Sequence, residues 1–362
     1  MSFILTFLGK GGTGRSTMAI AAAHRFAAQG QRTLLLGQDP SPGFATLLGH
    51  DVGTSPAAIA PNLSVVQLHT AQLLEQSWDE LKRQEATYLR TPFFKAVYGQ
   101  ELGVLPGMDT ALALNALREY DASGAYDVLV YDGTGDMATL RMLGMPEILS
   151  WYLRRFRTVL SESDLGKTLS PFVQPIAGAI LNVDWSGDIF SSQPAGQVNN
   201  LLDNGKMAVA DPSRVAAYLV TTDRPEAIAT ARYLWGSAQQ VGLTVGGVLL
   251  NQAEGDVSAE FAPLSVSSIP HQASWEAIAP ALPDFRQATQ APRPITVHES
   301  DRKVSLFLPG FNKTQVKLTQ YGPEVTIEAG DQRRNIFLPP ALQGRSVTGA
   351  KFQDGYLIIS FG

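Results

Sequence analysis

The sequence contains no cysteine. Disulfide bonds, thiolate zinc sites and a cysteine nucleophile are therefore excluded. Histidine is also scarce: the five histidines are scattered and show no H-x-x-x-H spacing, so we interpret them as structural residues. No apolar run reaches the length of about 18 residues that a transmembrane helix requires, so the sequence predicts no membrane span.

The sequence also lacks a net positive charge and a recognisable targeting signal. The 28 Lys and Arg residues against 33 Asp and Glu residues give a net charge of −5, whereas surfaces that bind nucleic acids are normally basic. Met1 leads directly into an apolar run, without the charged start and small-residue cleavage site of a signal peptide. Hydrophobic residues make up 44% of the chain, as in a packed globular protein. We expect a soluble, cytoplasmic protein with no nucleic-acid partner.

A glycine-rich loop near the N-terminus is the strongest motif. Residues 9–16, GKGGTGRS, match the phosphate-binding pattern G-x-x-x-x-G-K-[ST] at every position but one. Arg15 stands where the pattern has lysine, and Lys10 follows the first glycine. Backbone N–H groups of such a loop bind phosphate oxygens, and the Ser16 hydroxyl would bind Mg²⁺. An ordinary glycine turn is the alternative. The predicted nucleotide contacts are Gly9, Lys10, Gly11, Gly12, Thr13, Gly14, Arg15, Ser16 and Thr17.

Alternating apolar runs and helical segments surround this loop. The runs SFILTFLG, QRTLLLGQD, NLSVVQL, YDVLVYDGTG, VAAYLVTT and VGGVLLNQ read as buried strands. They predict an α/β fold with a doubly wound, mostly parallel sheet that places ligands at the carboxyl ends of its strands. Helical insertions are expected at about 71–120 and 141–210. The second is rich in Gly, Ser, Pro and Asn, which favours an irregular segment.

The composition changes near residue 290. A proline-containing linker at 290–294 separates a first domain, residues 1–289, from a second at 295–362. The second domain consists of short alternating runs between Gly and Pro turns, which predicts an all-β sandwich.

The loop and three later segments resemble one family of ATPases. GKGGTGR is similar to the deviant loop K-G-G-x-G-K-[ST] of dimeric ATPases, DPSPG to a D-P-A-H-[NS] segment, and DGTGDMATLR to D-T-A-P-T-G-H-T-L-R. These are segments of the arsenite-pump and tail-anchored-protein targeting ATPases, which also have a V-N-Q segment like GVLLNQ. LGVLPGMDTALAL and LRMLGMPEIL favour the targeting branch. The resemblance implies a P-loop ATPase domain, ATP and Mg²⁺ as cofactors, and a homodimer without the zinc pair of the family.

The resemblance also assigns catalytic roles. Asp39 would position the attacking water, and Lys10 would reach the phosphates of the partner subunit. Arg15 keeps a positive charge near the β- and γ-phosphates, but its planar fork is less adaptable than an ammonium group, so slow ATP hydrolysis is expected. DPSPG departs from the family pattern after its second residue, which puts the neighbouring polar contact in doubt.

Metal and base contacts follow from the same resemblance. Ser16 and Asp132, the latter through water, would hold Mg²⁺, and Gly135 could sense the γ-phosphate. Asn251 would read the adenine edge, while the loop through Pro270 would contact the base.

In the family, helices around the second switch segment, which corresponds to DGTGDMATLR at residues 132–141, imply a client groove. Methionine and aromatic side chains suit a surface that accepts varied apolar helices, although such residues are equally expected in the core. The candidate groove residues are Met137, Met142, Met145, Leu149, Trp151, Leu153, Phe156, Phe172, Ile176 and Ile180.

Residues 295–362 resemble an α-crystallin (small heat-shock protein) domain. FLPGFNKTQVKL is similar to its first strand pair, and AKFQDGYLIISF carries its A-x-x-x-x-G-x-L signature at Ala350, Gly355 and Leu357. A purely structural appendage is the alternative. With this tail, the sequence resembles a clade of targeting ATPases that is found in cyanobacteria and plastids.

The expected function is therefore a homodimeric ATPase chaperone that shields apolar segments, above all the membrane span of tail-anchored proteins, for delivery to a membrane whose receptor is unknown. A nucleotide-stabilised holdase for unfolded proteins with little ATP turnover is the alternative. A metalloid pump is disfavoured because its thiol ligands require cysteine, and a partition ATPase because the chain is acidic.

Overall fold

The computed structural model describes residues 1–76, 79, 107–162, 192–271 and 274–362. Eight strands form a central sheet in the order β3-β4-β2-β5-β1-β6-β7-β8, in which every neighbouring pair is parallel except β3 and β4. Their bounds are β1 Phe3–Leu8, β2 Thr33–Gly37, β3 Ala57–Ala60, β4 Leu63–Gln67, β5 Val128–Asp132, β6 Val215–Thr221, β7 Thr244–Asn251 and β8 Val266–Ile269.

Helices cover both faces of this sheet. In β2, Leu34 and Leu36 pack into one core cluster and Leu35 into the other, which explains why the strand is apolar at successive positions. The expected doubly wound α/β fold is confirmed. The helices are α1 Arg15–Ala28, α2 Pro42–Leu48, α3 Met108–Ala122, α4 Met137–Glu162, α5 Ser192–Ala210, α6 Pro225–Gln240, α7 Ser258–Phe261 and α8 Trp275–Ile278.

The second predicted insertion is helical in its described parts, and the Gly-, Ser- and Pro-containing residues 163–191 lie outside the described residues. Helix α4 is continuous over 26 residues, with Pro146 inside it, and α5 follows after residues outside the described range. A Cβ at Gly205 of α5 would lie 3.0 Å from the Pro146 ring, so glycine lets the two helices approach there. In the first insertion, a helical segment starts at residue 70 and α3 forms its end.

The C-terminal region is an all-β sandwich, as expected. One sheet has the order β14-β15-β10-β9 and the other β11-β12-β13. The sequence did not indicate β9 or β14, because both are edge strands with few buried side chains. The strands are β9 Ile295–His298, β10 Lys303–Phe307, β11 Val316–Tyr321, β12 Glu324–Ala329, β13 Gln332–Phe337, β14 Val347–Gln353 and β15 Tyr356–Phe361.

The sandwich packs against helix α6. The Trp235 ring lies 5.5 Å from Phe307 in an edge-to-face arrangement, and Tyr233 lies 5.7 Å from Phe311. Polar contacts complete the interface: the Gln240 side chain donates to the Ala329 carbonyl at 2.7 Å. The two regions therefore share apolar surface rather than meeting only through a tether.

None of the described helices combines the length and apolarity needed to cross a membrane.

Candidate nucleotide site

The candidate site lies at the carboxyl edge of the central sheet. The loop of residues 9–14 follows β1 and leads into α1, while Asp132 and Asn251 end β5 and β7. Asp39 follows β2, two residues beyond its end. Since β2, β5 and β1 are neighbours in the sheet, the phosphate loop and both aspartates meet at one edge.

The phosphate loop has the backbone that anion binding requires. Gly12 and Gly14 adopt positive φ angles of 84° and 95°. Gly14 caps α1 without a side-chain hydrogen bond, and the first turn of α1 contains no acidic residue. The N–H groups of this helix terminus are thus not capped by a protein side chain, and its partial positive charge favours a phosphate. The sequence-predicted loop is therefore chemically suited to a nucleotide.

Asn251 supports this loop from behind. Its buried side-chain amide donates to the Thr13 carbonyl at 2.9 Å. A Cβ at Gly14 would collide with the same amide, so the loop can pass there only as glycine. Asn251 was predicted to contact the adenine edge. In this structure its side-chain amide instead donates a hydrogen bond to the phosphate loop.

Arg15 points to the second switch segment. Its guanidinium donates to the Thr134 carbonyl, and it lies close enough to Asp132 and Asp136 for both to act on its pKa. Burial lowers the pKa of Arg15, and the two carboxylates oppose this shift. The cation is thereby placed between the phosphate loop and the switch segment, and Lys10 remains exposed.

Asp132 is a buried carboxyl beside this cation. Burial raises its pKa to about 6, and the Asp39 charge contributes in the same direction. A hydrogen bond with the Ser16 hydroxyl and the charge of Arg15 lower the pKa in part. Hydroxyl and carboxylate oxygens are ligands suited to Mg²⁺, directly or through water, so Ser16 and Asp132 fit the predicted metal role. The described residues contain no group of three or more acidic, His or Cys side chains placed to hold a metal ion.

The Asp39 carboxylate is held by a neighbour that sequence reasoning missed. One oxygen accepts from the Ser41 backbone N–H at 2.9 Å and the other from the Ser41 hydroxyl at 2.8 Å. Gln67 donates to the Asp39 carbonyl at 2.6 Å. The D-P-S triplet could have indicated this turn, because Asp side chains commonly accept from the residue two positions on. The turn fixes the direction of the carboxylate.

The second switch segment is bonded to the phosphate loop. Gly9 donates to the Gly135 carbonyl at 2.9 Å. The Gly135 N–H donates to the Thr139 hydroxyl at 2.9 Å. The Thr134 hydroxyl donates to the Asp136 carboxylate at 2.7 Å. In this conformation the N–H of Gly135 is occupied, so it does not offer itself to a γ-phosphate. A role in sensing would require the segment to shift.

A cavity of about 500 Å³ opens beside the loop. Gly14, Thr17 and Asn251 line one side of it. Pro270, the predicted base contact, is exposed and is not among the lining residues. Further lining residues that the sequence did not single out are His271, Ser274 and, in α8, Trp275, Glu276 and Ile278.

Comparison with known proteins agrees with this geometry. Residues 1–262 match the family model described as anion-transporting ATPase. The chain belongs to this family. Residues 299–361 match a second model, described as an HSP20-like domain found in ArsA, which confirms the crystallin-like assignment of the tail.

Several relatives match this chain over all or part of its length. A Chlorobaculum tepidum protein, provisionally named an arsenical pump-driving ATPase, is 26% identical over 99% of this chain and 95% of its own length. A Streptomyces coelicolor protein without assigned function is 28% identical over 99% of this chain and 96% of its own length. ATPase GET3 of Malassezia globosa is 26% identical over 46% of this chain and 47% of its own length.

The candidate groove residues of this ATPase divide into several environments. Met142 is fully buried in the sheet core, and the Tyr131 hydroxyl lies 3.4 Å from its sulfur. Met142 is therefore a core residue in this structure, because periodicity alone does not separate core from groove. Met137 also packs against that core. Phe156, Phe172, Ile176 and Ile180 lie outside the side chains that the structure describes.

The remaining groove candidates lie on α4 and are half-buried. Leu149 and Leu153 pack against a small cluster formed by Val198 and Leu202 of α5. The Trp151 indole donates to the Glu324 carboxylate of the sandwich at 3.1 Å. Met145 belongs to the same helix. Helix α4 thus contacts both α5 and the sandwich.

Proposed function

We propose that this chain is a homodimeric, ATP-hydrolysing chaperone that shields apolar segments, above all the membrane span of tail-anchored proteins. The proposal rests mainly on one observation, the meeting of the phosphate loop, Asp39 and Asp132 at one edge of the sheet. In the domain organisation we propose, residues 1–289 form the ATPase domain, 290–294 the linker and 295–362 the crystallin-like domain.

Each residue has a defined part in ATP hydrolysis. The loop N–H groups and the N-terminus of α1 bind the phosphates, and Arg15 supplies charge next to them. Ser16 and, through water, Asp132 would hold Mg²⁺, which would supply positive charge against the phosphates. Asp39, oriented by Ser41, accepts a hydrogen bond from the attacking water and aligns it with the γ-phosphate. Hydrolysis is slow because Arg15 is committed to the Thr134 carbonyl and must leave it.

Lys10 is the contact across the dimer. Its side chain is exposed beside the phosphate loop and therefore able to reach the nucleotide of a second chain. Light scattering with and without Mg²⁺ and ATP tests this part. The mass of the Lys10→Ala variant should fall below that of the wild-type dimer when ATP is present, and equal masses would contradict the proposal.

The client surface is formed by α4 and α5. Ile148 and Tyr152 of α4 are 40% and 50% exposed, and Met207 of α5 is 61% exposed. Because Ile148 and Tyr152 are four residues apart, they lie on one side of the helix. Such a surface suits an apolar helix of a client.

Co-expression with a model client tests the client class. The client carries one C-terminal apolar span, and a matched version has that span replaced by polar residues. Only the first should co-purify, and Ile148→Glu should weaken its retention. Val297→Glu is the matched control, since Val297 is 38% exposed on the sandwich. Equal retention of both clients, or capture of unfolded soluble proteins alone, would contradict the targeting proposal.

The alternative, a nucleotide-stabilised holdase, is favoured by the Arg15 contact with Thr134 and by the Asp39 oxygens that both accept from Ser41. It predicts ATP binding without turnover. Transport of arsenicals, which the name of the Chlorobaculum relative indicates for that protein, is not proposed here because thiolate ligands require cysteine.

A further inference from the structure

The cavity beside the phosphate loop is lined in part by α8, to which no function has yet been assigned. Gly14 and Thr17 connect the cavity to the phosphate loop, and Trp275 and Glu276 of α8 line it too. Its volume of about 500 Å³ falls within the range of small-molecule sites. A nucleotide whose phosphates occupy the loop can therefore extend into this cavity.

Trp275 is held in place by a second ring. The His24 ring stacks on it with a centroid distance of 3.5 Å and an interplanar angle of 18°. His24 belongs to α1, and its Nε2 atom is buried without a hydrogen-bond partner in the described structure. Burial also lowers the pKa of His24, so the ring stays neutral near pH 7. The indole is thus fixed on one side by an uncharged flat ring.

Neither of the two predicted base contacts accounts for base binding by itself. The Asn251 amide donates to the Thr13 carbonyl, and Pro270 is absent from the cavity lining. A flat apolar surface is still needed, because nucleobases bind to proteins largely by stacking on aromatic rings. Trp275 offers that surface, with one ring face already covered by His24 and the indole at the cavity wall.

We propose that Trp275 is the platform on which the base of the bound nucleotide stacks, with His24 as the positioning residue behind it. The proposal rests on the proposed nucleotide binding and adds the residue that holds the base. Affinity is then divided between two parts of the site: the loop binds the phosphates and Trp275 binds the base. Purine nucleotides should bind more tightly than pyrimidine nucleotides, because the larger base covers more of the indole.

Calorimetric titration of the full chain with two ligands tests the platform. The ligands are Mg²⁺ with ATP and Mg²⁺ with tripolyphosphate, which has the phosphates but no base. Trp275→Ala should raise the Kd for ATP about tenfold, as expected from the loss of one base–aromatic stack. The Kd for tripolyphosphate should change by less than about twofold, which also shows that the loop is intact. Trp275→Phe should keep most of the ATP affinity.

Tyr321→Ala is the matched control, because Tyr321 is an exposed aromatic residue on β11 of the sandwich. It should leave both Kd values unchanged. His24→Phe should preserve the ATP affinity and His24→Ala should reduce it, since only the first keeps a ring behind the indole. ATP, but not tripolyphosphate, should alter the tryptophan emission of the wild type, and Trp275→Phe should abolish this change.

The outcomes separate the two proposals. Equal ATP affinity in wild type and Trp275→Ala overturns the platform. Equal losses for ATP and tripolyphosphate also overturn it, because Trp275 would then only support the loop. Failure of the wild type to bind ATP at all would instead contradict the proposed function.

Discussion

Arg15 is the residue that most distinguishes this loop from an ordinary phosphate loop. Its guanidinium donates to the Thr134 carbonyl and lies between the loop and the second switch segment. A guanidinium has a fixed planar geometry, whereas an ammonium group adapts to the oxygens around it. Arginine at this position therefore keeps the charge but ties it to protein backbone, which is the basis of the proposed slow hydrolysis.

Arg15→Lys should raise the rate of ATP hydrolysis, by roughly tenfold, because a lysine can follow the charge that develops on the phosphates. Steady-state phosphate release at saturating Mg²⁺ and ATP measures this effect. Arg15→Ala is the control, and it should lose both turnover and much of the ATP affinity. A rate for Arg15→Lys at or below the wild-type rate would contradict this account of Arg15.

Asp132 destabilises the ligand-free fold above its pKa. An unfolded aspartate has a pKa of about 3.9, and burial raises that of Asp132 to about 6. The native state therefore binds the proton more tightly than the unfolded state. Stability decreases from this cause as the pH rises from about 4 to about 6, and remains lower above that range.

Asp132→Asn should consequently stabilise the nucleotide-free protein at pH 7.5, by about 1–3 kcal/mol, and much less at pH 4.5. Thermal unfolding at the two pH values measures the difference, and the remaining titratable groups are common to both proteins. The variant should also lose the added stability that Mg²⁺ gives in the presence of ATP. A gain in Tm that does not depend on pH would contradict the stated cause.

Several site residues were predictable because they belong to a sequence motif or end an apolar strand. Gly14 belongs to a loop with a fixed pattern, and Asp132 and Asn251 end buried apolar strands, which meet at one edge in a parallel sheet. The contacts of Ser41 with Asp39 and of Thr139 with Gly135 depend on loop conformation, which local pattern does not determine.

At the scale of elements, α4 was the least predictable helix. Its apolar residues are shared among the sheet core, α5 and the sandwich, so no single amphipathic stripe describes it. A proline inside a helix removes a backbone hydrogen bond, and Gly205 on the adjacent helix leaves room for the Pro146 ring. Within Met137–Glu162, tertiary packing therefore accommodates a proline inside a continuous helix.

Helix α4 contacts a row of side chains across the second sandwich sheet through Trp151, Arg154 and Arg155. Tyr321, Glu324 and Phe337 are cross-strand neighbours on β11, β12 and β13. Arg155 lies 4.4 Å above the Tyr321 ring, and Arg154 lies 5.1 Å above Phe337. Each cation–π contact contributes about 0.5–1 kcal/mol at an exposed position. Together with Glu324 they hold α4 against the sandwich.

Glu324→Ala should loosen this contact, because it removes the acceptor of the Trp151 indole and the partner of Arg154 at 3.5 Å. Trypsin cleavage after Arg154 and Arg155 should become roughly fivefold faster for about 1 kcal/mol of local stability lost. Glu328→Ala is the matched control on the same strand, where the residue faces Lys317 and Arg333 in the sheet register. Equal cleavage rates for the two variants would contradict the role of the row.

At the scale of the whole molecule, the sandwich and the ATPase region share a core. Phe307 of the sandwich belongs to the same cluster as Trp235 and Leu234 of α6. The sequence predicted both regions but not this docking, since contacts between distant segments leave no periodic signal. The crystallin-like region is therefore fixed to helix α6 of the ATPase region.

Gly236→Ala tests how tightly the two regions dock. A Cβ at Gly236 would overlap the Pro309 carbonyl oxygen and the Phe311 ring. Overpacking of this kind costs about 1–3 kcal/mol, so a lower Tm is expected in calorimetry. Gly349→Ala is the control, because a Cβ there meets no atom within 4 Å. Equal Tm values for the two variants would show that the regions are not closely docked in solution.

The most direct test of the central claim is the rate of ATP hydrolysis by the wild type and by Asp39→Asn. The wild type should release phosphate slowly and only with Mg²⁺. Asp39→Asn should bind ATP with similar affinity and lose roughly a hundredfold or more of the turnover, as expected for a group that acts on the attacking water. ATP binding without turnover in the wild type, or equal turnover in both proteins, would contradict the hydrolytic mechanism.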